Sequence, residues 1–188
     1  LLLGGEPQAN TALLDVLAAR RRSDAPDGWV WLRPGARVFR ADRATRGLTP
    51  VPLREQLEAW VHAPRAASLL SLAGVPVDRW RAHPDALSGG ERARASLALM
   101  LASEPDLLLL EEPERDLDLA GLELLEQILA DSRTAAIVVT HDLRLAEAVG
   151  EEVATIVEGS LVRWRGGVEG WRKGRRQQEV GIAVHLPE

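Results

Sequence analysis

Residues 107–110 are four consecutive leucines, followed directly by Glu111 and Glu112. A wholly apolar run of strand length fits a strand covered on both faces, as parallel strands under helices are. A half-exposed surface strand would alternate instead. The run therefore argues for an α/β sheet, and it delivers two carboxylates to the strand end, where open α/β sheets place their ligands. A second apolar run, 136–139, ends in Thr140-His141-Asp142. Twenty residues ahead of the leucines stands Leu87-Ser88-Gly89-Gly90-Glu91, where a loop meets a helix expected over about 91–101. Unpaired N–H groups and the positive dipole end favour an anion at such a start, and glycine lets a phosphate come close. Taken singly, each piece has a plain reading: Gly-Gly as a turn, Glu-Glu as a solvated strand end, His141 as a residue opening a helix. In this order and at this spacing they point to phosphate chemistry.

The unbroken segment LSGGERARASLALMLASEPDLLLLEEPERDLD resembles the signature helix, Walker B strand and D-loop of ABC-type ATPase domains. Residues 137–142 resemble that family's switch-histidine strand, and the likeness is closer over the last hundred residues than over the first eighty. The short gap before the signature and the stretch Gly166-Gly167-Val168-Glu169-Gly170-Trp171 look most like the ABC-F branch, the tandem ATPases without membrane spans. The resemblance implies one domain over 1–188 with a P-loop NTPase-like fold: a mostly parallel sheet flanked by helices, with a small helical lobe over 53–86. It implies ATP and Mg2+ as ligands, and a second ABC-type ATPase domain as partner, in tandem or as a dimer. Sites in this family are composite. Ser88, Gly89, Gly90, Glu91 and Asp118 would face a nucleotide held by the partner domain. Within the chain's own site, Glu112 matches the catalytic glutamate that orients the attacking water, and His141 matches the histidine that polarises the γ-phosphate. Glu111 takes the place of the magnesium-binding aspartate and is one methylene longer. Glu114-Arg115-Asp116 departs from the family pattern and puts unusual charge at what would be the dimer seam.

Residues 1–3 read as a buried strand, 4–10 as a loop and 11–20 as a helix with Leu13, Leu14 and Leu17 on one face. Strand, Gly-containing loop and helix form the layout of a P-loop, which places Gly5, Asn10 and Thr11 at the phosphates. Thr11 takes the magnesium-holding Ser/Thr place, Asn10 the lysine place and Ala9 the place of the glycine before it. The only lysine in the chain is Lys173, so no alignment supplies the P-loop cation. Charged hydrogen bonds to phosphate contribute roughly 1.5–3 kcal/mol, so affinity falls on the order of 10- to 100-fold without that lysine. The loss where charge develops on a transferred phosphoryl is about as large again. Pro7 also restricts a loop that needs glycine's freedom. Weak binding survives these losses and efficient hydrolysis does not. A loop that never holds phosphate is the alternative.

Residues 29–32 read as a short strand, after which the family has a glutamine; Arg33-Pro34-Gly35 stands there instead. Residues 38–51 read as irregular, 53–61 and 66–72 as helices, and Gln56 as a surface residue. Helices are expected over 121–130 and 143–149, then a hairpin of 153–158 with 161–164 about Gly159-Ser160. The basic tail, 163–188, gathers Arg163, Arg165, Arg172, Lys173, Arg175 and Arg176 with Trp164 and Trp171. Cations interleaved with tryptophan suit RNA, as on a ribosome; a solvated helix end whose tryptophans cover the core fits equally simple rules. Residues 180–184 read as a final edge strand.

The 188 residues suffice for one domain with its own core, and a net charge of −5 restricts any nucleic-acid contact to a local patch. The absence of cysteine excludes disulfides and thiolate metal sites and suits a cytoplasmic protein. No apolar run approaches the ~20 residues of a transmembrane helix. The start has neither a signal-peptide pattern nor an initiator methionine, so the chain reads as a piece of a longer one. The function expected is an asymmetric half of an ABC-F-like ATPase: a signature that serves a partner's site, beside a degenerate site of its own. A non-catalytic interaction module and the ATP-binding subunit of a transporter are the alternatives.

Overall fold

The computed structural model describes residues 1–3, 7–18, 32–130, 134–157 and 159–183. Its centre is strand β3, Leu107–Glu111, in which Leu108, Leu109 and Leu110 are all buried. Leu108 and Leu110 face one cluster, with Leu53, Leu57, Leu69, Leu97 and Leu125. Leu109 faces another, with Leu14 and Val139. Burial on both faces is what an unbroken apolar strand requires, at roughly 1.5–3 kcal/mol for each leucine removed from water.

Among the described residues six strands form one sheet in the order β2-β3-β4-β1-β5-β6. These are β1 (Leu2–Leu3), β2 (Val38–Ala41), β3, β4 (Ala135–Thr140), β5 (Glu152–Val157) and β6 (Ser160–Arg165). All neighbours pair parallel except β5 and β6, which form an antiparallel hairpin. Helix α1 (Pro7–Ala18) packs on the Leu109 face of the sheet. On the opposite face lie α2 (Leu53–Glu58), α3 (Ala63–Leu72), α4 (Gly89–Ser103) and α5 (Leu119–Leu129). Helices α6 (Leu143–Val149) and α7 (Gly167–Ala183) cover the β5–β6 end, where Leu3, Ala146, Val153 and Val168 are buried under Trp164 and Trp171. No described helix is long and apolar enough to cross a membrane.

Several expectations are corrected. Helix α1 starts at Pro7, so residues 7–10 are helical and not loop. Proline suits a first helical position, because the N–H it lacks would have had no partner there. Residues 38–51 are not wholly irregular: Val38–Ala41 is strand β2, in register with Leu107 to Leu110 of β3. Residues 29–31 lie outside the described residues, and Leu32 is in no regular element. Gln56 is buried, not a surface residue. Its Nε2 donates to the Thr49 and Val51 carbonyls at 2.9 and 2.6 Å, and its Oε1 accepts from the Thr49 N–H at 2.9 Å. Residues 180–183 belong to helix α7 and not to an edge strand.

Candidate functional site

Strand β3 ends in a sharp turn. Glu112 takes a φ of +45°, unusual for a residue with a side chain, and its N–H donates to the Val139 carbonyl of β4 at 2.8 Å. Such backbone costs on the order of 1–3 kcal/mol and tends to mark functional sites. The turn brings the consecutive carboxylates of Glu111 and Glu112, 8% and 12% exposed, within reach of one guanidinium, that of Arg43.

Three arginines at a spacing of three answer this segment. Arg40, in β2, donates to Glu111 Oε2 at 3.2 Å, to Asp15 of α1 and to the Ala41 carbonyl. Arg43 lies 3.8 Å from Glu111 Oε1 and hydrogen-bonds Glu112 Oε1. Arg46, buried and also at positive φ, donates to the Arg115 carbonyl and the Asp116 carboxylate, each at 2.9 Å. Arg115 adds a contact of 3.7 Å to Glu112. The loop bearing Arg43 is shaped by Asp42, which accepts from the N–H groups of Ala44 and Thr45 and from the Thr45 hydroxyl at 2.7–2.9 Å. Burial pushes the Asp42 carboxyl up, but the hydrogen bonds from Thr45 and Ala44 and the Arg40 charge outweigh it and hold its pKa below the ordinary value.

These arginines were not singled out from the sequence, and they correct one placement. The strand running beside β3 is β2, so the loop that reaches the carboxylates follows residue 41, not residue 32. At the carboxylates stand Arg40 and Arg43, and Gln56 bonds Thr49 and Val51 instead. The signal available was the spacing Arg40, Arg43, Arg46 after Val38-Phe39.

The other expected residues of this half are distributed as follows. Thr11 Oγ1 donates to Glu111 Oε1 at 2.8 Å, so the two positions expected to share a metal do meet. Asn10 is buried in α1, and Gly5 lies outside the described residues. His141 is exposed, with Nε2 3.8 Å from Glu112 Oε1. Thr140 donates to Glu114 Oε1 at 2.5 Å and accepts from the Asp142 N–H at 2.9 Å, which fixes the turn that carries His141.

The signature half is built differently. Ser88 caps α4, whose start lies two residues ahead of the expected one: its Oγ accepts from the Glu91 N–H at 3.2 Å, while Glu91 Oε2 accepts from the Ser88 N–H at 2.8 Å. This reciprocal box holds the Glu91 carboxyl below its usual pKa. The Arg92 N–H is taken by the Ser88 carbonyl, which leaves Gly89 and Gly90 as the helix-end donors among the described residues. The glycines also admit the chain itself. A Cβ on Gly89 would lie 3.2 Å from Asp116 Cγ, and one on Gly90 3.3 Å from the Asp116 carbonyl. Asp118 caps α5 through the Gly121 N–H at 3.1 Å and hydrogen-bonds Arg94.

Magnesium, which the resemblance implies, does not fit the Glu111 end. Every oxygen it needs there is engaged by a guanidinium or by Thr11. An added cation about 4 Å from an arginine is repelled by about 4 kcal/mol per pair of unit charges at an effective dielectric of 20. Among the described residues no three Asp, Glu or His side chains gather into a metal site.

The basic tail is largely paired. Arg163 hydrogen-bonds Glu152, Arg172 lies 2.8 Å from Glu147, Lys173 lies 2.7 Å from Glu169, and Arg175 stacks over Trp171 at 5.5 Å. Trp164 and Trp171 pack against the core, so the geometry follows the plainer of the two readings.

A parallel sheet under helices, with carboxylates at one strand end and a capped Gly-Gly helix start beside it, defines a P-loop NTPase-like domain. A sequence profile described as ABC transporter matches residues 9–115, more than half of the chain. The chain belongs to that family and is an ABC ATPase nucleotide-binding domain. It is 38% identical over 104 residues to the methionine import ATP-binding protein MetN 2 of Rhodococcus jostii, covering 52% of this chain and 30% of that one. It is 34% identical over 118 residues to the energy-dependent translational throttle protein EttA of Haemophilus influenzae, covering 61% of this chain and 20% of the relative. The chain thus spans less than a third of the length of these relatives. In fold it matches the dimeric bacterial ABC transporter cassette MJ0796 with a TM-score of 0.70 at 19% identity, over 87% of this chain and 83% of that one.

Proposed function

We propose that this domain is an asymmetric half of an ABC-F-like ATPase. In this reading Ser88, Gly89, Gly90, Glu91 and Asp118 complete an ATP site held by a second ABC domain, while the chain's own pocket is weak or inactive. The observation that carries it is the contrast between the two halves. The start of α4 is capped by the Ser88–Glu91 box and leaves the Gly89 and Gly90 N–H groups for a phosphate. The first helix has no lysine, and Asn10 in that place is buried. Glu112 and His141 would be the remnant of a catalytic pair and Glu111 with Thr11 the remnant of a metal pair. The kinship with EttA supports the ABC-F assignment; the kinship with MetN 2 keeps a transporter's ATP-binding subunit as the competing membership. In the full-length protein, Ser88→Arg places a cation and extra bulk at the shared surface, and ATPase activity should drop at least tenfold if the signature works in trans. Unchanged turnover sinks that role.

A second reading, a non-catalytic scaffold, is favoured by the arginines already seated on Glu111 and Glu112. Counting bound ATP per full-length chain decides between them: binding that Ser88→Arg weakens supports the trans site, and no bound nucleotide supports the scaffold. A ribosome-like partner reached through residues 163–176 belongs to the ABC-F reading, although most cations described there have partners in the chain.

A further inference from the structure

The three-arginine series on β2 and its following loop has no part in the site offered to a partner domain. We propose that Arg40 and Arg43 permanently replace the divalent cation in this domain's own site. Glu111 and Glu112 then have guanidinium groups as their resident counter-charge, and the pocket is set in a metal-free state. The inference deepens the reading that the chain's own site is degenerate.

Charge balance carries it. The linked carboxylates are Asp15, Glu111 and Glu112; the linked guanidinium groups are those of Arg40, Arg43 and Arg115. Counted by ion pairs alone, three carboxylates meet three guanidinium groups, so Glu111 and Glu112 have their counter-charge without a metal; Asp42 also feels Arg40, and His141 lies 3.8 Å from Glu112. Nor do the arginines lie loosely on the surface. Arg40 is 15% exposed, rises from a strand position paired with Leu109, and is bonded at once to Asp15, Glu111 and the Ala41 carbonyl. Arg43 follows directly on Asp42, whose carboxylate accepts from the N–H groups of Ala44 and Thr45. Admitting a metal requires breaking these contacts and also freeing Thr11 from Glu111. A planar guanidinium satisfies a carboxylate through directed hydrogen bonds, so the substitution retains electrostatic stabilisation while supplying no Lewis acid.

The test counts Mn2+ by electron paramagnetic resonance on the full-length protein with ATP present. Glu111→Gln alone should bind the same number of Mn2+ per chain as the wild type. A loss of one Mn2+ per chain on that substitution overturns the proposal. The double variant Arg40→Leu/Arg43→Gln should gain one Mn2+ per chain, and a further Glu111→Gln should remove it. No gain in a folded double variant also overturns it. If the double variant does not fold, the Glu111→Gln comparison decides alone. Ser88 takes no part in this count, so failure of the trans role leaves the result intact, and a failed count leaves the trans role standing.

Discussion

At the start of α4 the polar groups are satisfied three positions away, Ser88 with Glu91. At the end of β3 they are satisfied some seventy positions away, Glu111 and Glu112 with Arg40 and Arg43. Both places resemble phosphate-facing parts of one ATPase design. The local closure uses a hydroxyl and one carboxylate and leaves glycine N–H groups at the helix end. The long-range closure uses up the carboxylates themselves. A motif can thus be intact in sequence while the fold pairs its carboxylates with distant arginines, which no local reading of Glu111-Glu112 would reveal.

The sharpest way to break this contrast is Arg40→Ala, which strips Glu111 Oε2 of its hydrogen bond while Thr11 and Arg43 stay on Oε1, and should cost about 1–3 kcal/mol in a urea melt. A loss below 1 kcal/mol would mean that the cluster at β3 is no tighter than a surface pair. Ser88→Ala removes only a cap and should cost about 1 kcal/mol, with Ser88→Asp restoring most of it. Arg94→Ala removes the partner of the exposed Asp118, and its effect on the melt should stay within about 0–1 kcal/mol. The smallest effect is one of pH. Asp42 has a folded pKa below its ordinary 3.8, so its contribution is fully present above that value and fades as pH falls through the lower folded value. The stability difference between wild type and Asp42→Asn should therefore be flat from pH 7 to 5 and shrink in acid; a difference that grows in acid contradicts the assignment.

Where contacts are local or periodic, the sequence was legible. The leucines of β3, the helix after Ser88 and the helix Leu143–Val149 follow from apolar runs and capping residues. Strand β2 was missed because Val38-Phe39 is too short an apolar run, and its remaining support is hydrogen-bonding to β3 far along the chain. The start of α1 was missed because residues 4–10 were aligned with a phosphate-binding loop, whereas Pro7 opens a helix there. Gln56 was misjudged because glutamine is usually exposed, and only the loop folding back over α2 supplies its three partners. The arginine series escaped notice because pairing between residues 40–46 and 111–116 has no local pattern to betray it.

The clamp at Gln56 has a mechanical meaning. Both ends of its amide are fastened to residues 49–51, which ties helix α2 to that strip of chain through three hydrogen bonds. Three residues upstream of the strip sits Arg46, and three further on, Arg43. A short stretch of backbone thus runs from the small helices to the arginines that meet Glu111 and Glu112 at the end of β3.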